Sequence, residues 1–281
     1  KRMFVWSKVS PVSKQSLLEE QFLGLSQTNA VITKLAGKKS FRIEVYCNDK
    51  NDAQKLLNEF GGQLSKLITK DWAKLNASSE RPPIKIRNRL IITDSNNKSE
   101  IKKISKKFEG RDVISIPAAL AFGTGDHETT STCLRLLVDL AKEHKKNNKE
   151  WSLCDIGTGT GILAIAAKIL GSTIVECFDF DSTAIDIAKR NFLRNKTADI
   201  FIYEADLFEW EPKKKKYWDI ITANIFANVL NANLSKIFNA LAPGGSLILS
   251  GILREHENSV IDTAQQTSLT NPIIYRKGKW V

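Results

Sequence analysis

Asp155, Gly157, Gly159 and Gly161 fall within a seven-residue stretch, and their order decides what they can bind. An apolar run, Leu153, Cys154 and Ile156, stops at the first glycine, and a helix-compatible run begins at Ile162. Strand, glycine turn and helix in that order form the ligand-binding corner of a doubly wound α/β sheet. A dinucleotide corner is spaced G-x-G-x-x-G, so that backbone N–H groups and a helix N-terminus hold a pyrophosphate. Here the spacing is G-x-G-x-G, with Ile162 standing where the third glycine would fall. Asp155, two residues before the turn, would repel a diphosphate and suits a cationic amino group.

Further candidates sit at the ends of the strands that follow. A strand over 173–178 ends at Asp179, 18 residues beyond Gly161, where an acid holds a ribose diol. Asp181 reads as the cap of a helix over 182–194. A third strand over 198–204 closes on Ala205-Asp206, and Asp206 suits either an adenine amino group or a turn. The strand over 218–223 ends at Asn224, whose side-chain carbonyl can accept a hydrogen bond from an incoming amine. Before all of these comes a second glycine-rich turn, AFGTGDHETT at 121–130. It runs into a helix carrying Cys133, Leu136, Leu137 and Leu140 at helical spacing, with Thr129 or Thr130 near its N-cap. His127 in that turn either accepts a proton or orders its loop. Two loop-to-helix turns separated by one helix can converge on one ligand.

The elements that must position these residues alternate strand and helix from residue 112 onward, which predicts a mostly parallel sheet with helices on both faces. A hairpin-like stretch over 272–281 would add an antiparallel edge strand. Residues 1–70 read differently. Strands over 3–9, 30–35, 40–47 and 64–68, with helices over 16–25 and 52–60 and a hairpin signal at Gly37-Lys38, give the β-α-β-β-α-β order of a ferredoxin-like unit. Between the two, 71–117 is expected to be a linker region: a strand pair or extended arm over 84–93, a polar stretch with a short basic helix over 94–111, and a short strand over 113–116. The catalytic part is then 118–281.

Composition narrows the class. Length, 281 residues, favours two domains, and no apolar run approaches the roughly 18 residues that a membrane span needs. Cys47, Cys133, Cys154 and Cys177 lack C-x-x-C spacing and read as reduced core residues, so a cytoplasmic location and no metal are expected. The formal net charge of +11 is uneven: Lys+Arg against Asp+Glu is 17 to 8 over 1–93, 6 to 4 over 94–117 and 19 to 19 over 118–281. Basicity concentrated ahead of a neutral catalytic part suits an anionic partner surface, including direct RNA contact, or a solvated lysine-rich face.

D-x-G-x-G-x-G at 155–161 is the pattern of S-adenosylmethionine-dependent methyltransferases. Together with AFGTG-x-HETT at 121–130, the FDFD–AI–A–N–N run across 178–195, ITANI at 221–225 and LAPGG–L–LSGIL at 241–253, it resembles the PrmA family, whose members methylate the eleventh protein of the large ribosomal subunit. The resemblance is close over 118–253 and looser before it, where KDW at 70–72 and the N-terminal β-α-β-β-α-β order fit the family's layout. It implies a Rossmann-like catalytic domain, S-adenosyl-L-methionine as cofactor, a smaller ferredoxin-like substrate-recognition domain, a monomer, and methylation of lysine ε-amines and an N-terminal α-amine of that ribosomal protein, free or in an assembling ribosome. Carried over by position, the cofactor contacts fall on Thr130, Gly157, Asp179 and Asn224, beside Asp155, Gly159, Gly161 and Asp206 from the residue reading; Asn224 and His127 are the candidates for catalysis. Two positions depart from the family pattern: Asp126 stands where threonine is usual, and no second tryptophan follows Trp72 closely. Two rival readings are an RNA methyltransferase of the same fold and a non-catalytic ribosome-associated binding protein. Asn224-Ile225-Phe226-Ala227 lacks the [D/N]-P-P-[Y/F/W] order of many base-amine methyltransferases, which weighs against the first. The intact glycines and Asp179 weigh against the second.

Overall fold

The computed structural model describes residues 3–14, 29–34, 40–47, 49–67, 82–117, 127–212, 218–267, 269 and 272–281. The chain divides into two compact units, Lys1–Glu80 and Arg81–Val281. The helix expected over 16–25, the turn at Gly37-Lys38, Trp72, the 121–126 part of the second glycine turn with Asp126, and the lysine run at 213–216 lie outside the described residues.

In the first unit, β1 (Met3–Pro11), β2 (Asn29–Lys34), β3 (Ser40–Cys47) and β4 (Gln63–Leu67) form an antiparallel sheet in the order β2-β3-β1-β4. That is the order in which a ferredoxin-like unit arranges its strands. The alternation of β3 puts Phe41, Ile43 and Val45 on one face, in register with Trp6 of β1, and all four are buried. Helix α1 (Lys50–Phe60) covers this face through Ala53, Leu56 and Leu57. It begins at Asp49, whose carboxylate accepts from Asn51 N at 3.0 Å, and ends at Gly61, whose φ of +66° an L side chain resists.

The second unit holds β5 (Ile84–Ile86), β6 (Leu90–Thr93), α2 (Lys98–Lys107), β7 (Asp112–Ser115), α3 (Glu128–Lys146), β8 (Ser152–Ile156), α4 (Ile162–Ile169), β9 (Ile174–Asp179), α5 (Ser182–Arg194), β10 (Phe201–Glu204), β11 (Trp218–Asn224), α6 (Ala227–Ala240), β12 (Leu241–Ser250) and α7 (Glu257–Gln265). Its main sheet runs β10-β9-β8-β11-β12, and every pairing is parallel. β9 lies on one side of β8 and β11 on the other, so the chain reverses direction across the sheet there. The carboxyl ends of β8 and β11 therefore open the crevice in which doubly wound sheets bind ligands. Among the described residues no helix is long and apolar enough to cross a membrane.

Two expectations change. The part of the expected linker from Arg81 onward belongs to the second unit: β5, β6 and β7 form a three-stranded sheet whose Ile86, Leu90, Ile92 and Ile114, with Ile116 just beyond, join Leu134, Leu137 and Leu153 in one core. Each side chain so buried contributes about 1.5–3 kcal/mol, more than an exposed arm could forgo. The expected antiparallel edge strand is also absent from the described sheet. The turn around Gly278 (φ +58°) returns on itself and touches the segment after β12 through single bridges, Leu253 with Trp280 and Lys277 with Trp280.

Asn195, at the end of α5, fixes the small sheet to the main one. Its Oδ1 accepts from Ser115 N at 2.8 Å and its Nδ2 donates to Ser115 O at 2.9 Å, mimicking a strand partner for β7. Asn195→Ala leaves both backbone groups without this partner and is expected to lower stability by about 1–3 kcal/mol in urea unfolding, with cofactor affinity unchanged.

Candidate active site

The glycine turn is held from two sides. Gly157 N and Thr158 N both donate to Phe178 O at 3.0 Å, and Gly159 N donates to Asp179 Oδ2 at 2.9 Å, so the end of β9 sets the shape of the turn. Gly157, Gly159 and Gly161 take φ of +67°, +55° and +79°. They do different work. A Cβ on Gly161 would stand 2.5 Å from Phe192 Cε1, so this buried glycine lets α4 pack against α5. A Cβ on Gly157 would stand 2.6 Å from Ile225 Cγ2; Gly157 and Gly159 are the partly exposed positions, the wall a ligand can meet.

Asp155 is 1 % exposed. Its Oδ2 accepts from Thr158 Oγ1 at 2.7 Å and its Oδ1 from Thr222 Oγ1 at 2.6 Å, tying the turn to β11. Burial pushes its carboxyl up to about 6, against the pull of those two hydroxyls and with a smaller push from Asp179. Through these two bonds Asp155 braces the turn from beneath.

Asp179 ends β9 with Oδ1 accepting from Asp181 N at 3.1 Å and Oδ2 from Gly159 N. Burial raises its pKa, partly offset by those N–H donors. Each oxygen keeps a second acceptor site, so the carboxylate is aimed and still able to take hydroxyl protons. Asp181 caps α5 through Thr183 N at 2.8 Å, as its position in the sequence indicates. Asp206 is exposed and holds a turn, its Oδ1 accepting from Phe208 N at 2.9 Å and its main-chain oxygen from Trp210 N at 2.7 Å.

Asn224, at the end of β11, meets Thr130 from the first turn of α3: Nδ2 donates to Thr130 Oγ1 at 3.4 Å. The Asn224 Oδ1 is buried and has no hydrogen-bond partner among the described residues. A buried acceptor left so costs about 1–3 kcal/mol, and such groups mark places where a ligand supplies the donor. The next residue, Ile225, is clamped: its Cγ2 faces Gly157, and its main-chain oxygen would stand 2.6 Å from a Cβ on Gly251 (φ +81°). His127 caps α3, with Nδ1 2.7 Å from Thr129 Oγ1, and its ring lies edge-on to Trp280 at 5.1 Å. Structure thus adds Thr158, Thr222, Ile225 and Gly251 to the residues found from sequence. Thr222, Ile225 and Gly251 had a signal there only as members of the runs at 221–225 and 241–253.

A parallel sheet in this strand order, with a glycine turn after β8 braced by acids and a polar side chain ending β11, defines the class: a Rossmann-like methyltransferase. The sequence profile of the family described as "Ribosomal protein L11 methyltransferase (PrmA)" matches residues 8–281. A ribosomal protein L11 methyltransferase of Trichlorobacter lovleyi is 36 % identical over 218 residues, covering 78 % of this chain and 68 % of the relative. One of Macrococcus caseolyticus is 37 % identical over 174 residues, covering 62 % and 53 %. The crystal structure of a ribosomal protein L11 methylase from Lactobacillus delbrueckii subsp. bulgaricus superposes with a TM-score of 0.57 at 27 % identity, covering 71 % of this chain and 95 % of that one. The chain belongs to the ribosomal protein L11 methyltransferase (PrmA) family. Its alignments span 68 % and 53 % of those two curated relatives.

Proposed function

We propose that the chain transfers a methyl group from S-adenosyl-L-methionine to amino groups, lysine ε-amines and an N-terminal α-amine, of the large-subunit ribosomal protein for which its family is named. The observation that carries this reading is the buried Asn224 Oδ1 at the end of β11, beside the glycine turn, which has no hydrogen-bond partner among the described residues. The cofactor fits the residues present: Gly157 and Gly159 offer a backbone surface without side chains, Asp179 offers acceptor sites for a ribose diol, and Thr130 and Asn224 complete the far side. When bound, it supplies an electrophilic methyl on a positively charged sulfur.

An amine attacks only with a free lone pair. With an ordinary lysine pKa near 10.4, about one side chain in 2,500 is neutral at pH 7, a barrier of roughly 4–5 kcal/mol. Burial at the strand ends disfavours the ammonium, and a nearby positive charge pushes the same way. Asn224 Oδ1 then accepts one N–H of the neutral amine, which turns the lone pair toward the reacting carbon; the gain is alignment. His127, engaged with Thr129, holds the loop in this reading, and Asp155 acts through Thr158 and Thr222. The Lys1–Glu80 unit, in the basic part of the chain, serves as the recognition domain, and a cytoplasmic location follows from the substrate.

Mass spectrometry of the ribosomal protein after incubation with enzyme and cofactor tests the whole reading, and methyl label on RNA alone would overturn it. Asp179→Ala is expected to weaken cofactor binding by about tenfold, the worth of roughly one charged hydrogen bond, in calorimetry. Unchanged affinity removes Asp179 from the site.

A further inference from the structure

Helix α2 presents an unusual surface. Lys98, Lys102, Lys103, Lys106 and Lys107 are all exposed, while Ile104 is buried on the opposite side. A helix rises about 6 Å over four residues, so Lys98, Lys102 and Lys106 form one ladder and Lys103 and Lys107 a second beside it. Among the described residues no ion pair engages any of the five. The acid within the helix, Glu100, is taken up by the Ser95 hydroxyl, and Glu109 lies beyond its end. Lys85, on β5, adds to the cluster: its Nζ lies 5.2 Å from the Phe108 ring centroid, and that of Lys107 lies 5.8 Å from the same ring. Two cations thus lie within reach of one ring. No large apolar side chain stands out on this face.

We propose that the exposed face of α2, through Lys102, Lys103, Lys106 and Lys107, docks the phosphate backbone of RNA. The composition of the face selects this partner over an acidic protein. Protein interfaces are depleted of lysine at their centres and are anchored by aromatic or large apolar side chains, whereas the aromatic beside this face, Phe108, is only half-exposed and is taken up by Lys85 and Lys107. Phosphate binding needs only closely spaced cations: a duplex carries one charge per about 1.7 Å of axis, so each rung of the ladder finds a phosphate and releases a counterion. The location fits as well, because residues 118–281 balance 19 basic against 19 acidic side chains and add no net repulsion or attraction. The choice of RNA over DNA rests on the ribosomal substrate proposed above; the contact itself does not.

The test is binding of a fluorescent double-stranded RNA of about 20 base pairs, the length over which a dsRNA-binding module of about 16 base pairs can settle, to the full chain without cofactor or protein substrate. It therefore succeeds or fails independently of methyl transfer. Anisotropy across 50–200 mM salt is expected to show affinity falling as salt rises. Replacing Lys102, Lys103, Lys106 and Lys107 together by glutamine should weaken binding at least tenfold at the lowest salt and reduce the log–log slope by about 3 to 4, at about 0.9 per phosphate contact. Glutamine at Lys142, Lys145 and Lys146, exposed on α3, should change the slope by less than about one. An unchanged melting temperature in both variants shows the fold intact. No binding by the natural chain, an equal loss in both variants, or polyglutamate competing as well as RNA through the same four lysines would overturn the proposal, the last in favour of an acidic protein partner.

Discussion

Replacing Asn224 by alanine is expected to slow methyl transfer about a hundredfold and at the same time to make the folded chain more stable. The two effects have one cause. Among the described residues Asn224 Oδ1 is buried without a hydrogen-bond partner, and the side chain's one bond there is the long 3.4 Å contact from Nδ2 to Thr130. Removing an unsatisfied buried acceptor relieves about 1–3 kcal/mol, against which the loss of a long bond and a small volume sets less. The same oxygen is the group proposed to hold the attacking amine, and a misplacement of about 1 Å at a reacting centre lowers the rate about a hundredfold. Single-turnover transfer of labelled methyl gives the rate, and the urea midpoint gives the stability. A slower and less stable variant would mean that Asn224 serves the fold; an equally fast one would remove it from the reaction.

What the sequence revealed and what it hid follow from the range of the interactions. Gly157, Gly159 and Gly161 were legible because a positive φ is a local demand that glycine answers cheaply, and all three adopt it. Strand ends at Asp179 and Asn224 were legible for the same reason, since hydrophobic runs stop where the sheet does. Partners distant in sequence were not. Thr222 lies 67 residues from Asp155, and no spacing rule connects them, yet that bond makes Asp155 a brace between the turn and β11. Asn191 and Asn195 were read only as part of a family pattern. They bind Thr160 O at 2.9 Å and the Ser115 backbone, and so position the glycine turn and the small sheet. The stretch over 84–116 looked like a linker because its apolar residues come in short groups separated by charge. Only the core formed with Leu134, Leu137 and Leu153 gives those groups something to bury against.

The brace leads to the second large effect, a stability that falls as pH rises from about 4 to about 6 because of one buried acid. Asp155 titrates near 6 in the folded chain against 3.8 for an unperturbed aspartate. Desolvation is the main cause, and the bonds from Thr222 and Thr158 only partly offset it. Because the folded value is the higher one, the folded chain binds the proton more tightly than the unfolded chain does. The resulting stabilisation is complete below about pH 4, fades as pH rises through about 6, and is gone at pH 7, where the charged carboxylate has to be kept out of water; the difference of about two units corresponds to about 3 kcal/mol. Asp155→Asn removes the titration. A hydroxyl can turn from donor to acceptor, so Thr158 or Thr222 can still satisfy the new amide. Chemical unfolding at pH 4, 5, 6 and 7 should therefore show the variant gaining on the natural chain by about 2–3 kcal/mol across that window, most of it between pH 4 and 6. A gap that stays constant with pH would show that Asp155 is ionised throughout and that its two hydroxyl partners outweigh its burial. Cofactor affinity in the same variant separates brace from contact: a carboxylate touching the ligand is worth about tenfold or more, whereas one acting from beneath the turn leaves the dissociation constant within about threefold.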